Sequence, residues 1–225
     1  MQEIVPGIFL YHGNYEDVIG DIERNFAVVS DPPYGINHFK GSSGSAVKGR
    51  KSLRRNSKKI IGDDTPFDPS VFVSYDECLL WGADHFASRL PDTGRWLAWD
   101  KTGGGRGPKD SFSDVEFAWI NKPGNRKIFH YLWKGVCQDG EKGEKRYHPT
   151  QKPIALMEWC LSFVESDSIF DPFFGSGSTA LACYNSGRKF IGCELDDDYY
   201  ETAVERIKRY ALKNPREPHG DYFCP

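Results

Sequence analysis

The stretch Ser168-Ile169-Phe170-Asp171-Pro172-Phe173-Phe174-Gly175-Ser176-Gly177-Ser178-Thr179 decides the fold. Residues 168 to 173 read as a buried strand that ends at the Asp171 carboxylate. Gly175 and Gly177 let the backbone pass close beneath a ligand before a helix over 178 to 186 begins. About 20 residues further on, a second strand over 189 to 195 also ends in an acid, Glu194, placed to accept hydrogen bonds from ribose hydroxyls.

The pattern continues outward in both directions. Downstream, 198 to 212 is an amphipathic helix with Tyr199, Ala203, Ile207 and Tyr210 on one side. Upstream, His148-Pro149-Thr150-Gln151-Lys152-Pro153 leads into a helix from Pro153 to about Glu165, with proline in the first turn. Near the start, 4 to 11 reads as a short strand and 15 to 24 as a short helix. Residues 26 to 30 are a central strand that delivers Asp31. Residues 68 to 90 carry helical spacing (Val71, Cys78, Leu79, Ala83, Phe86), and 95 to 100 is a strand. Residues 115 to 120 and 127 to 134 are two strands joined by the turn Lys122-Pro123-Gly124-Asn125. Trp96, Trp99, Trp119 and Trp133 lie within strand patterns and are assigned to the core. The alternation is that of a doubly wound α/β sheet.

At 225 residues the chain fits one catalytic domain, 1–225, with a loop over 35–65 and a small insertion over 101–147. No apolar run approaches the roughly 18 residues that span a membrane, and the N-terminus lacks the features of a secretory signal; a cytoplasmic setting is expected. The six cysteines show no metal-ligand spacing, so no metal is expected. No Pro-Cys pair is present, which argues against covalent attack on a ring carbon. The net charge of −3 is unevenly spread. Lys40, Lys48, Arg50, Lys51, Arg54, Arg55, Lys58 and Lys59 form a run without any acid, a local basic patch of the kind that grips phosphates.

The glycine turn is not a phosphate loop. It lacks the Gly-Lys-Ser/Thr ending, and Asp171 would repel a pyrophosphate. A phosphate-free nucleoside with a cationic centre fits two carboxylates, and S-adenosylmethionine (SAM) has a ribose, an ammonium and a sulfonium. Lys152, beside a helix start, is placed to hold its carboxylate. Asp31-Pro32-Pro33-Tyr34 supplies the complementary half. An amino group conjugated to a base ring is a poor nucleophile until acceptors for its hydrogens favour a pyramidal nitrogen. Asp31 and the Pro32 carbonyl are such acceptors, the prolines remove competing N–H donors, and Tyr34 offers a stacking plate for a base drawn out of its helix.

DPPY, then HPTQKP, then DPFFGSGST and a strand ending in Glu194 together resemble the amino-methylating DNA methyltransferases, in the β-type order with the catalytic motif first. The compactness is similar to phage-type members. The resemblance implies a SAM-dependent, Rossmann-like, circularly permuted fold. It implies a catalytic set Asp31, Pro32, Pro33 and Tyr34, and a cofactor set Asn14, Asp31, Gln151, Lys152, Pro153, Asp171, Phe173, Gly175, Ser176, Gly177, Thr179, Glu194 and Leu195. Asn14 stands where the family's Gly-Asp turn has an acid. Double-stranded DNA is the implied partner, bound in part by the basic run, with restriction-modification as the setting. The small insertion leaves either a short recognition site or action as a homodimer. Asp in the first motif position favours adenine N6 over cytosine N4; RNA, protein glutamine, or a non-catalytic DNA-binding role are the remaining alternatives.

Overall fold

The computed structural model describes residues 1–36, 61–108, 113–134, 137–140, 147 and 150–216. The basic run from Lys40 to Lys59, together with His148 and Pro149, lies outside the described residues.

The chain contributes strands β1 (Gln2–Val5), β2 (Ile8–His12), β3 (Ala27–Ser30), β4 (Glu77–Trp81), β5 (Arg95–Asp100), β6 (Val115–Ile120), β7 (Lys127–His130), β8 (Trp133–Lys134) and β9 (Cys137–Gln138). There follow helix α1 (Ile154–Leu161), β10 (Ser168–Asp171), α2 (Ser178–Ser186), β11 (Lys189–Glu194) and α3 (Asp197–Lys213). Nine strands form one sheet in the order β1-β2-β11-β10-β3-β4-β6-β5-β7. The neighbours from β2 to β4 are all parallel, while β6 runs antiparallel to both β4 and β5.

Strand alternation sorts side chains between two cores. Leu79 and Trp81 of β4 face the side on which α1, α2 and α3 pack through Leu156, Leu181 and Ile207. Cys78 and Leu80 face the other side, which is covered by Ile22, Phe26, Phe67, Phe72, Tyr75 and Phe86. Those aromatics come from turns and 3₁₀ segments, with Phe67 meeting Phe86 edge-on at a centroid separation of 5.0 Å. Gly177, at φ +81°, caps α2; a Cβ there would stand 3.1 Å from Ile207, so this glycine sets how closely α3 approaches. No helix among the described residues is long and apolar enough to cross a membrane.

Several expectations need correction. Residues 68 to 90 are not a helix: 77 to 81 are a fully buried central strand, because Glu-Cys-Leu-Leu-Trp lies between two covered sheet faces and needs no alternation. Residues 4 to 11 divide into the β1–β2 hairpin, and 15 to 24 hold two 3₁₀ turns, Tyr15–Asp17 and Ile19–Asp21. The strands flanking Lys122–Asn125 do not pair, since β7 joins β5 in parallel. Trp133 belongs to a separate two-stranded ribbon. Pro153 is the N-cap residue of α1, just outside its first turn. Trp96 is half-buried, whereas Trp99, Trp119 and Trp133 are buried.

Candidate functional site

The connection from β10 leads to β11 on one side, and the connection from β3 leads to β4 on the other. Chain order thus reverses between β10 and β3, and ligands of open α/β sheets bind outside such a point. Asp171 ends β10 and Asp31 directly follows β3, and the Ser30 hydroxyl ties the two strand ends by donating to Asp171 Oδ1 at 2.6 Å. A cavity of about 730 Å³ runs along this edge of the sheet. Its lining is acidic at the β2/β11 end (Glu16, Glu194, Asp196) and lysine-bearing at the β5/β6 end (Lys101, Lys134, Lys152).

At the acidic end Glu194 is half-buried. Its Oε2 accepts the Gly175 N–H at 3.1 Å and its Oε1 the Asp196 N–H at 2.9 Å. Burial raises its carboxyl above the ordinary value against those donors. Gly13, Asn14, Phe173, Gly175, Leu195 and Tyr199 line the cavity around it. The Asn14 side chain is spent locally, accepting the Glu16 N–H at 3.2 Å and donating to Glu16 Oε2 at 2.9 Å.

Asp171, expected to face a ligand, has its oxygens engaged by the protein. It is buried and accepts from Ser30, from Thr179 Oγ1 at 2.7 Å and from the Phe173 N–H at 3.1 Å, so its oxygens shape the turn. Burial outweighs these donors and pushes it up to about 6. Thr179 is consumed by the same contact. Ser176 is pinned by Arg206 Nη1, which donates to its carbonyl at 2.8 Å. Asp171, Ser176 and Thr179 border a side recess of about 50 Å³, and Gly177 packs against α3.

At the other end Asp31 sits in a network of four further side chains. Tyr34 OH donates to its Oδ1 and Lys152 Nζ donates to its Oδ2 at 2.7 Å. Lys152 also reaches Tyr34 OH at 3.2 Å and Glu116 Oε2 at 3.1 Å, and Lys101 Nζ meets Glu116 Oε1 at 2.9 Å. Lys152, expected to hold an anionic ligand group, has its ammonium buried between two protein carboxylates. Burial alone would lower its pKa, but Asp31 and Glu116 hold it well above the usual lysine range. Glu116, half-buried and flanked by Lys152 and Lys101, is held down at about 2. Asp31 is raised: burial, with Glu116 adding, outweighs the attraction of Lys152. Burial and the neighbouring Asp31 push the Tyr34 phenol well above its ordinary value.

The Tyr34 ring stacks on His85, with centroids 4.9 Å apart and planes 22° apart. Gly82, at φ +65°, makes room for it, since a Cβ there would stand 2.0 Å from Tyr34 Cε1. Asp63 accepts the Gly35 and Ile36 N–H groups at 3.0 and 3.2 Å and fixes the chain leaving Tyr34. Gln151 acts as a brace: its carbonyl accepts Trp133 Nε1–H at 3.1 Å, and its Oε1 accepts the Tyr147 N–H at 2.9 Å. Sequence reasoning missed Gly82, His85, Lys101 and Glu116. A charged residue inside the otherwise apolar strand Val115-Glu116-Phe117-Ala118-Trp119-Ile120, and another directly after Arg95–Asp100, were the available signals.

Residues 94–205 match the family described as DNA methylase, N6_N4_Mtase. The Type II methyltransferase M2.LlaDCHI of Lactococcus lactis subsp. cremoris is 37% identical over 82 residues, covering 36% of this chain and 30% of that protein. The putative methylase YubD of Escherichia coli is 42% identical over 85 residues, covering 36% of this chain and 37% of that protein. The match thus spans well under half the length of either relative. Among solved structures, M1.HpyAVI in complex with SAM superposes with a TM-score of 0.52 at 24% identity, over 89% of this chain and 98% of that one. The PvuII DNA methyltransferase, cytosine-N4-specific, gives 0.52 at 14% identity over 93% and 94%. These likenesses concern the fold.

Proposed function

In a chain that belongs, through residues 94–205, to the N6-adenine/N4-cytosine DNA methyltransferase family, we propose methyl transfer from SAM to an exocyclic amino group of double-stranded DNA, with adenine N6 as acceptor. One observation carries this reading: Asp31 and Tyr34 line the same cavity as Glu194, so an acidic end suited to a cationic nucleoside and a tyrosine plate suited to a base share one space with the Asp31 carboxylate.

The acidic end fits the cofactor. Its lining holds Glu16, Glu194 and Asp196, and the lysines that line the cavity belong to the other end, so ribose hydroxyls and positive charge are matched and a phosphate is not. Glu194, Gly175, Phe173, Leu195 and Tyr199 would hold it, with Gly13 and Asn14 closing the wall. When bound, SAM supplies a methyl group activated by a sulfonium. The protein's own work is done at Asp31. A carboxylate offers about four lone-pair sites, so Asp31 can keep Tyr34 and Lys152 and still accept a hydrogen from the amino group. The Pro32 carbonyl takes the second hydrogen, on a backbone whose φ the two prolines fix. As the nitrogen gains its methyl group it gives up one proton, and Asp31, whose pKa is raised by burial, is the nearest base. Tyr34 backs the base ring. Lys40, Lys48, Arg50, Lys51, Arg54, Arg55, Lys58 and Lys59 would grip the phosphates alongside.

Incubation with SAM and unmethylated duplex DNA, digestion to nucleosides and mass spectrometry tests the proposal. N6-methyladenine is expected. N4-methylcytosine would reassign the base, and absence of any methylated nucleoside despite SAM binding would overturn the reading.

A further inference from the structure

We infer that Glu116 is a positioning residue of this site, acting on Asp31 through Lys152; the inference rests on the methyl-transfer reading above. The topology places it there. Because β6 runs antiparallel, its early residues arrive at the edge where β3, β4 and β5 end, and Glu116 pairs in register with Trp99, two residues before Lys101. Its carboxylate lies between Lys101 at 2.9 Å and Lys152 at 3.1 Å.

An ammonium has three N–H donors. Lys152 donates to Asp31 and Tyr34 at 2.7 and 3.2 Å and forms an ion pair with Glu116 Oε2 at 3.1 Å, a charge contact without hydrogen-bond geometry, so its ammonium is held between two carboxylates. Without the Glu116 charge, Asp31 is, among the described residues, the one carboxylate left against that ammonium. Two consequences follow. The Asp31 carboxylate is drawn toward Lys152 and away from the cavity, and the cation's full field falls on it, making it a weaker proton acceptor. Glu116 divides the charge of Lys152 and so keeps Asp31 both placed and basic. The groups that bear on Asp31 are Lys152 ahead of α1, Glu116 on β6 with Lys101 behind it, Tyr34 on its own loop, and Asp171 at the end of β10. A merely structural ion pair would lower activity by loosening the fold, at every pH alike.

The test uses the full chain carrying Glu116→Gln, with Glu116→Asp as the charge-retaining control. The Asp31 carboxyl is followed by carbon-detected NMR, assigned by comparison with Asp31→Asn. Its titration midpoint is expected to fall by about one unit in Glu116→Gln and to stay near wild type in Glu116→Asp. In parallel, kcat should drop on the order of a hundredfold in Glu116→Gln. The acid limb of the pH profile should move to lower pH, with the Kd for SAM unchanged. An unmoved Asp31 titration overturns the inference, as does an equal loss of kcat and SAM affinity at all pH values. If the wild type methylates no DNA, the functional reading fails, while the titration still decides whether Glu116 acts on Asp31.

Discussion

The two ends of the cavity handle charge in opposite ways. At the β2/β11 end, Glu194 is held by the N–H groups of Gly175 and Asp196, donors without net charge, and among the described residues no cation pairs with it. At the β5/β6 end, Asp31, Glu116, Lys101 and Lys152 neutralise one another through contacts of 2.7, 2.9 and 3.1 Å. The first arrangement leaves a negative charge for something else to meet, which suits a cationic ligand. The second spends its charges internally, which suits a neutral amino group that needs placement more than attraction.

The comparison breaks most visibly at Asp31. Asp31→Asn keeps the shape and removes the charge; turnover is expected to fall by at least about a thousandfold, with SAM affinity by calorimetry within a few-fold of wild type. Loss of both together would mean that the two ends are one unit. Glu194→Gln should give the mirror image: SAM binding weakened by roughly tenfold to a hundredfold, the worth of a charge-assisted hydrogen bond, with kcat at saturating SAM little changed. A pure kcat defect in that variant would reverse the assignment of the ends.

Gly82→Ala sharpens the picture at the tyrosine-bearing end. The new methyl group would stand 2.0 Å from Tyr34 Cε1 on a backbone at φ +65°, so the ring must leave its place between Asp31 and His85. About tenfold lower kcat and roughly 1–3 kcal/mol lower stability are expected, read from kinetics and urea melts. Unchanged kinetics would show that the plate is not needed where it stands.

Asp171 distinguishes the ends through pH. Its carboxyl, raised by burial to about 6 from an ordinary 3.8, favours the protonated form in the fold. Its contribution to stability is therefore complete below about pH 4 and is lost as the pH rises through about 6. The unfolding free energy from urea melts should fall over that window in the wild type, by roughly 2–3 kcal/mol, through a titration that Asp171→Asn lacks. Parallel pH profiles for the two proteins would mean that Asp171 is not titrating as a buried turn acid.

How much of this was legible in the sequence depends on the kind of signal. The strand-turn-helix at Ser168 to Ser186 and the acid ending β11 stood out because glycine spacing and strand-end carboxylates are local patterns. The strand Glu77–Trp81 did not, because a strand buried on both faces shows no alternation, and its leucines fell at helix-like intervals from Val71 and Ala83. The partners of Lys152 were beyond reach: Asp31 and Glu116 are distant in sequence, and their meeting depends on β6 entering the sheet against its neighbours. Asp171 looked like a ligand for the reason Glu194 did, an acid ending a strand. The difference lies in Ser30 and Thr179, whose hydroxyls turn it inward.

The central claim is that this cavity carries a methyl group from a cofactor at its acidic end to a base amino group beside Asp31. Single-turnover transfer from methyl-labelled SAM, with duplex DNA, RNA and the protein itself recovered separately, tests it most directly. The account predicts label in duplex DNA as N6-methyladenine from the wild type and none from Asp31→Asn; label confined to RNA or protein, or equal labelling of DNA by Asp31→Asn, would contradict it.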